Sequence, residues 1–221
     1  MKGEGCSFPL ENNLQCVKHF RISGQELPIN SINYFPNVTQ MTIEHSSLKP
    51  DESILINLNH LIPLQQLTHL NIEYNWFPLE DVIRLIGSTP SLHTLKLHFA
   101  YIAEKDLKFL EQSVIFQDVS AKNQIRHVYC SNRCELTKIQ FFMKLFPQME
   151  YFHVSTNRSE INEIISHFFP RNFQSFHRLV YLCLTGIPKI CLQEVDRFIK
   201  SNNLLENYSL KYLHRDLYIW W

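Results

Sequence analysis

Leu67-Thr68-His69-Leu70-Asn71-Ile72 is followed 25 residues later by Leu92-His93-Thr94-Leu95-Lys96-Leu97. Both obey one pattern: apolar, two residues, apolar, one residue, apolar. Upstream of this pair the pattern recurs as Val38, Met41, Ile43 and as Val17, Phe20, Ile22. Downstream it returns as Ile125, Val128, Cys130, then Met149, Phe152, Val154, then Leu179, Leu182, Leu184. Successive starts lie 21, 29, 25, 33, 24 and 30 residues apart. The last two apolar residues of each set are two apart, so both fall on one side of a short strand.

Between the strands the spacing turns helical. Leu79, Val82, Ile83 and Ile86 make one apolar face, with Gly87 and Pro90 as stop signals. Leu136, Ile139, Phe142, Met143 and Phe146 make a second, ended by Pro147. Ile161, Ile164, Ile165 and Phe168 repeat it, with Ser159 available as a cap and Pro170 beyond the end. Leu192, Val195, Phe198 and Ile199 form the last clear face, and Ile54 to Ile62 and Ala103 to Leu110 are weaker ones. A strand followed by a returning helix, repeated, gives parallel strands joined by right-handed crossovers. One such unit cannot bury its apolar face alone, and stacking creates the core. The expected fold is therefore an α/β leucine-rich-repeat solenoid of about seven irregular repeats. Its short parallel strands would line a concave face and its helices the convex one. Residues 1–13 read as an irregular lead-in, 14–207 as the solenoid and 208–221 as a C-terminal cap. That cap is expected as two short strands around His214, Arg215 and Asp216, with the terminal tryptophans covering the last edge.

Composition narrows the function. Lysine plus arginine and aspartate plus glutamate number 21 each. That balance supplies no basic field for nucleic-acid phosphates and no polybasic membrane signal. Only five glycines occur, without the cluster a phosphate-cradling loop needs. No signal-peptide core and no apolar run of spanning length is present, so a cytoplasmic or nuclear protein is expected. Six irregularly spaced cysteines then read as thiols, and the sequons at Asn37, Asn157 and Asn207 as accidental.

Several phrases carry a resemblance. They include Tyr34-Phe35-Pro36-Asn37, Leu67-Thr68-His69-Leu70 and Gly87-Ser88-Thr89-Pro90-Ser91-Leu92-His93-Thr94-Leu95. Further along come Cys134-Glu135-Leu136-Thr137-Lys138-Ile139, Phe146-Pro147-Gln148-Met149-Glu150-Tyr151 and the ending Leu217-Tyr218-Ile219-Trp220-Trp221. From about Val17 onward the chain resembles the F-box-associated leucine-rich-repeat proteins of the bdelloid rotifer type. Members of that family carry an F-box, which docks on a ubiquitin-ligase adaptor, ahead of the repeats. About 13 residues precede the first repeat here, too few for an F-box. The resemblance thus implies the substrate-recognition repeats of such a receptor without direct adaptor contact, as a stand-alone scaffold or a truncated gene product.

The repeat register also maps the exposed strand positions, from His19 and Arg21 through Gln40 and Thr42, His69 and Asn71, to Thr94 and Lys96. It continues with His127 and Tyr129, Tyr151 and His153, and Tyr181 and Cys183. Its most aromatic stretch is His127, Tyr129, Tyr151, His153 and Tyr181, and rigid tyrosines suit a binding surface for a protein partner. Eleven histidines raise a metal-dependent enzyme as an alternative, yet no HExxH pair exists and Cys130 and Cys134 miss the CxxC spacing. Cys130 falls on a core position. No nucleophile with an activating base and a glycine-rich oxyanion loop is visible. The expectation is a non-catalytic scaffold without a cofactor.

Overall fold

The computed structural model describes residues 14–23, 34–44, 53–73, 77–98, 104–169 and 178–221. The expected lead-in, 1–13, together with Ala103 and Pro170, lies outside them. Nine strands form one open sheet: β1 (His19–Ile22), β2 (Gln40–Ile43), β3 (His69–Ile72), β4 (Thr94–Leu97) and β5 (His127–Arg133), then β6 (Tyr151–Ser155), β7 (Tyr181–Thr185), β8 (Ser209–Leu213) and β9 (Asp216–Trp220). The order is β1-β2-β3-β4-β5-β6-β7-β9-β8. The first seven strands are parallel, each beside its predecessor in sequence.

Every strand of the seven apolar sets starts two residues after the set's first apolar residue. That residue sits in the approach to the strand, and from Val38 onward it is buried. The register aligns the second apolar residues side by side, with Phe20, Met41, Leu70, Leu95, Val128, Phe152 and Leu182 in one line. The approach segments share a hydrogen-bond habit. The Lys18 carbonyl accepts from Thr39 and Gln40, that of Thr39 from Thr68 and His69, and that of Thr68 from His93 and Thr94. The same forked rung recurs at His93, Arg126 and Glu150. N–H groups that would otherwise be orphaned at the strand starts are satisfied by the segment leading into the preceding strand.

Seven helices occur among the described residues: α1 (Ser53–Leu61), α2 (Leu79–Gly87), α3 (Glu104–Glu111), α4 (Val114–Lys122), α5 (Leu136–Leu145), α6 (Ile161–Phe168) and α7 (Ile190–Asn202). The apolar faces read for α2 and α6 are fully buried. No helix among the described residues is long and apolar enough to cross a membrane. Strand and helix apolar residues share one core, through which aromatic rings run in contact. Phe116 meets Phe141, Phe142 meets Phe146, Phe152 meets Phe168, and Phe169 meets Trp221. Strands β3 to β6 bury alternate residues only, so one face of the sheet is covered and the other open.

Three local expectations change, and one residue gains a second role. Helix α4 has no counterpart in the sequence reading, because only Phe116 and Val119 of its residues are buried and its apolar face is too sparse to register. It occupies the longest interval between sets, and the Ser113 hydroxyl caps it by accepting from the Phe116 N–H at 3.2 Å. Gly87 is the last residue of α2, as its reading as a stop signal expects, and it also serves packing. A Cβ there would lie 3.2 Å from Val119 Cγ2, so its absence lets α4 approach. Ser159 is not the cap of α6; a 3-10 turn (Arg158–Glu160) leads in, and Thr156 Oγ1 donates to Glu160 Oε2 at 3.0 Å. At the C-terminus the two expected strands are present as an antiparallel hairpin, with β9 also antiparallel to β7. Leu217, Ile219 and Trp221 do the covering, whereas Trp220 stays 38% exposed on the open face.

Candidate functional site

In a parallel sheet paired in register, equivalent side chains on adjacent strands stand about 4.8 Å apart. Outward residues therefore line up in rows. From β3 to β9 the first row is His69, Thr94, His127, Tyr151, Tyr181 and Trp220. The second is Asn71, Lys96, Tyr129, His153, Cys183 and Tyr218, and Lys211 of β8 extends it. All five residues singled out from the sequence, His127, Tyr129, Tyr151, His153 and Tyr181, fall together on β5, β6 and β7, each half-buried.

Their rings stack along the rows. The His127 and Tyr151 centroids are 4.4 Å apart at 26°, and those of Tyr129 and His153 are 4.5 Å apart at 31°. Tyr181 closes both rows, 5.5 Å from Tyr151 and 5.5 Å from His153, and reaches Tyr218 at 6.0 Å. On the far side the Lys96 ammonium lies 5.2 Å from the Tyr129 ring centre, a cation–π contact. Tyr129 is thus sandwiched between an ammonium and an imidazole. Part of the area of the tyrosines expected to form a binding surface is taken up by neighbours: the His127–Tyr151 and Tyr129–His153 faces contact each other, which leaves ring edges with phenol hydroxyls and imidazole nitrogens.

Electrostatics follow from this stacking. Burial first, then neighbouring positive groups, lowers the pKa of His69. His127 and His153 are lowered too, with burial dominant and partly opposed by Glu150 and Asp216 respectively. Burial raises the phenols of Tyr129 and Tyr218 and pushes Tyr181 up to about 12. At neutral pH the imidazoles are therefore uncharged and the phenols protonated.

The carboxylates bordering the face are engaged. Glu44 pairs with Arg21, and Glu150 lies 3.6 Å from Arg126. Glu73 accepts from Asn71 Nδ2 at 2.7 Å, and Asp216 accepts from the Gly186 N–H at 3.2 Å. Lys96 and Lys211 have no ion-pair partner among the described residues. Asn71 Oδ1 is buried without a hydrogen-bond partner among them as well.

Two positions expected to be exposed are buried. Cys183 has no accessible surface and Thr42 only 4%. Both side chains are short and stand between larger neighbours in their row. The Tyr181 ring leans against His153 and Tyr218, the two residues flanking Cys183, and His19 hydrogen-bonds Thr42 at 2.8 Å. Burial, followed by the negative charge of Asp216, pushes the Cys183 thiol up to about 12. Cys130 is a buried core residue as read from the sequence. His127 and His153 lie in different rows, each stacked on a tyrosine, and no group of three or more His, Cys, Asp or Glu residues among those described is placed to hold a metal ion.

Tyr218 and Lys211 escaped the sequence reading. Their signal is the alternation of Leu217 and Ile219 against Tyr218, which becomes informative once the hairpin is known to pair with β7. Away from the rows, a cleft of about 850 Å³ separates α7 from the hairpin. Of its two acidic residues, Asp196 and Glu206, Asp196 accepts from Lys200 at 2.7 Å and from the Tyr208 hydroxyl at 2.8 Å. Comparison with known protein families, with curated proteins and with solved structures found no match.

Proposed function

We propose that the chain is a leucine-rich-repeat solenoid acting as a non-catalytic protein-binding scaffold, with the open sheet face over β5 to β7 as its binding surface. The observation that carries this reading is the pair of stacked His and Tyr rows, a pre-ordered polar surface on adjacent strands. Ordering such side chains before binding reduces the entropy lost on association. The solenoid reading is supported by the sequential strand order and by the forked rung shared by successive repeats. The phrases resembling F-box-associated repeats favour the partner-recognition part of a ubiquitin-ligase receptor, working in the cytoplasm or nucleus.

Placing a photo-crosslinking amino acid at Tyr151 and, as a control, at the exposed Lys122 of α4 tests the surface. Capture of the same protein at Tyr151 alone, abolished by Tyr129→Ala, supports the assignment, and equal capture at both positions refutes it. Excising residues 67–91 tests the solenoid, because it joins Gln66 to Leu92 at equivalent repeat positions. A stack of repeats keeps a cooperative unfolding transition after the excision. Loss of all folded structure would count against it.

A further inference from the structure

Strand β5 breaks its register with β6 after Cys130. Cys130 pairs with Val154, but the next residue of β6, Ser155, pairs with Arg133, so Ser131 and Asn132 bulge out of the ladder. The Cys134 N–H then donates to the Ser155 carbonyl at 2.7 Å. Cys134 thus stands two ladder steps beyond Cys130, on the same side of the sheet. Two steps are about 6.6 Å, against about 13 Å for four residues of unbroken strand. A disulfide spans Cα atoms up to about 6.8 Å apart, so the bulge brings the two thiols within bonding reach.

The side chains already touch. The Cys130 thiol hydrogen-bonds the Cys134 sulfur, and the Cys134 thiol donates to the Asn132 carbonyl at 3.3 Å. Cys130 is 3% exposed and Cys134 5%, the latter between exposed Arg133 and Glu135. Lys138, itself buried, lies one turn further along in α5, and its charge acts on both sulfurs. The two thiols are not equivalent. The hydrogen bond from Cys130, helped by Lys138, lowers the pKa of Cys134 against burial and the charges of Glu135 and Glu160. Burial above all, then the bond to Cys134, raises that of Cys130. Cys134 is therefore the attacking sulfur and Cys130 the one that resolves.

We propose that Cys130 and Cys134 are a redox-sensitive pair, which a small hydroperoxide such as hydrogen peroxide converts to an internal disulfide. The Cys134 thiolate attacks one peroxide oxygen and the O–O bond breaks. The departing oxygen takes the proton that Cys134 released and leaves as water, and Cys134 becomes a sulfenic acid. The Cys130 sulfur then attacks the Cys134 sulfur. The S–S bond forms, and the sulfenic hydroxyl leaves as water with the Cys130 proton. The thiols lose two electrons and two protons, and the peroxide is reduced to two molecules of water. Cys130 faces the core side of β5, so the pair is separate from the stacked rows of the open face.

The test treats the reduced full chain with hydrogen peroxide, quenches with catalase, unfolds the protein and alkylates it with iodoacetamide. Peptide mass spectrometry is expected to show Cys130 and Cys134 lost to alkylation together, in joined peptides lighter by two hydrogens. Dithiothreitol restores both. Cys130→Ser, checked for folding by circular dichroism, leaves a Cys134 sulfenic acid that dimedone traps, whereas Cys134→Ser leaves Cys130 reduced. The pairing is overturned if both thiols stay alkylatable at a peroxide dose that oxidises the exposed Cys16. Conversion of Cys134 to sulfinic acid without a crosslink, or a crosslink of either thiol to another cysteine, overturns it too. So does a crosslink that forms only after unfolding in urea, because the fold then does not hold the sulfurs together. Trapping of Cys130 in Cys134→Ser overturns the role of Cys134 as the attacking thiol.

Discussion

Removing the roof over Cys183 should turn an inert thiol into a reactive one. In the wild type Cys183 has no accessible surface, and burial pushes its pKa from the ordinary 9.0 up to about 12. At about pH 8 the thiolate fraction is then roughly 10⁻⁴, against roughly 10⁻¹ for an unperturbed thiol, and the thiolate is the nucleophile. Ionisation alone accounts for a suppression of about a thousandfold, to which lack of access adds. Tyr181→Ala deletes the ring that spans His153 and Tyr218 beside Cys183. Water then reaches the sulfur and the pKa falls toward its ordinary value. Timed alkylation with iodoacetamide, followed by peptide mass spectrometry, should show Cys183 labelling accelerated by about two to three orders of magnitude. Exposed Cys16 sets the upper reference, and buried Cys191 reports global unfolding. Labelling of Cys183 in the wild type as fast as Cys16 would show that burial does not suppress the thiol. A Cys183 that stays inert in Tyr181→Ala, or that speeds up only in step with Cys191, would refute the covering role of the Tyr181 ring.

Three further outcomes follow from the packing and the titrations. Gly87→Leu should lose about 1–3 kcal/mol in urea unfolding, because the side chain must enter space held by Val119, and Val119→Ala should recover part of the loss. At the hairpin, His214 and Arg215 both adopt positive φ, 52° and 71°. His214→Asn/Arg215→Gly should therefore raise stability by about 1 kcal/mol, seen as a higher urea midpoint. The folded pKa values of His127 and His153 lie below that of a free imidazole, so the unfolded chain binds more protons as pH drops below about 6.5. Stability should be full above that value and decline as pH falls through the depressed folded pKa values; His127→Gln/His153→Gln should flatten the decline in urea midpoints measured between about pH 7 and 5.5.

The repeat was legible because the strand period and the set spacing both survive in the one-dimensional pattern. The alignment of Leu70, Leu95 and Val128 across three strands was implicit in the positions of those residues alone. The same logic grouped His127, Tyr129, Tyr151, His153 and Tyr181, since equal offsets within a repeat become neighbours in a sheet. Helix α4 was lost because two buried residues in nine make no periodic signal, and the close approach of Val119 to Gly87, the last residue of α2, leaves no mark along the chain beyond the stop signal.

What the sequence by itself determined, then, is periodicity: where the strands lie, which side chains point into the core and which point out. Tertiary structure decided what the outward side chains are to one another. Strand spacing close to the thickness of a stacked ring pair brought His127 onto Tyr151 and Tyr129 onto His153, so part of the ring area is taken up by neighbours. The antiparallel return of β9 beside β7 set Tyr218 next to Cys183 and carried Lys211 to the end of the row. Burial of Cys183 and the depressed histidine pKa values arise from that crowding, because desolvation depends on neighbours in space that no local pattern encodes.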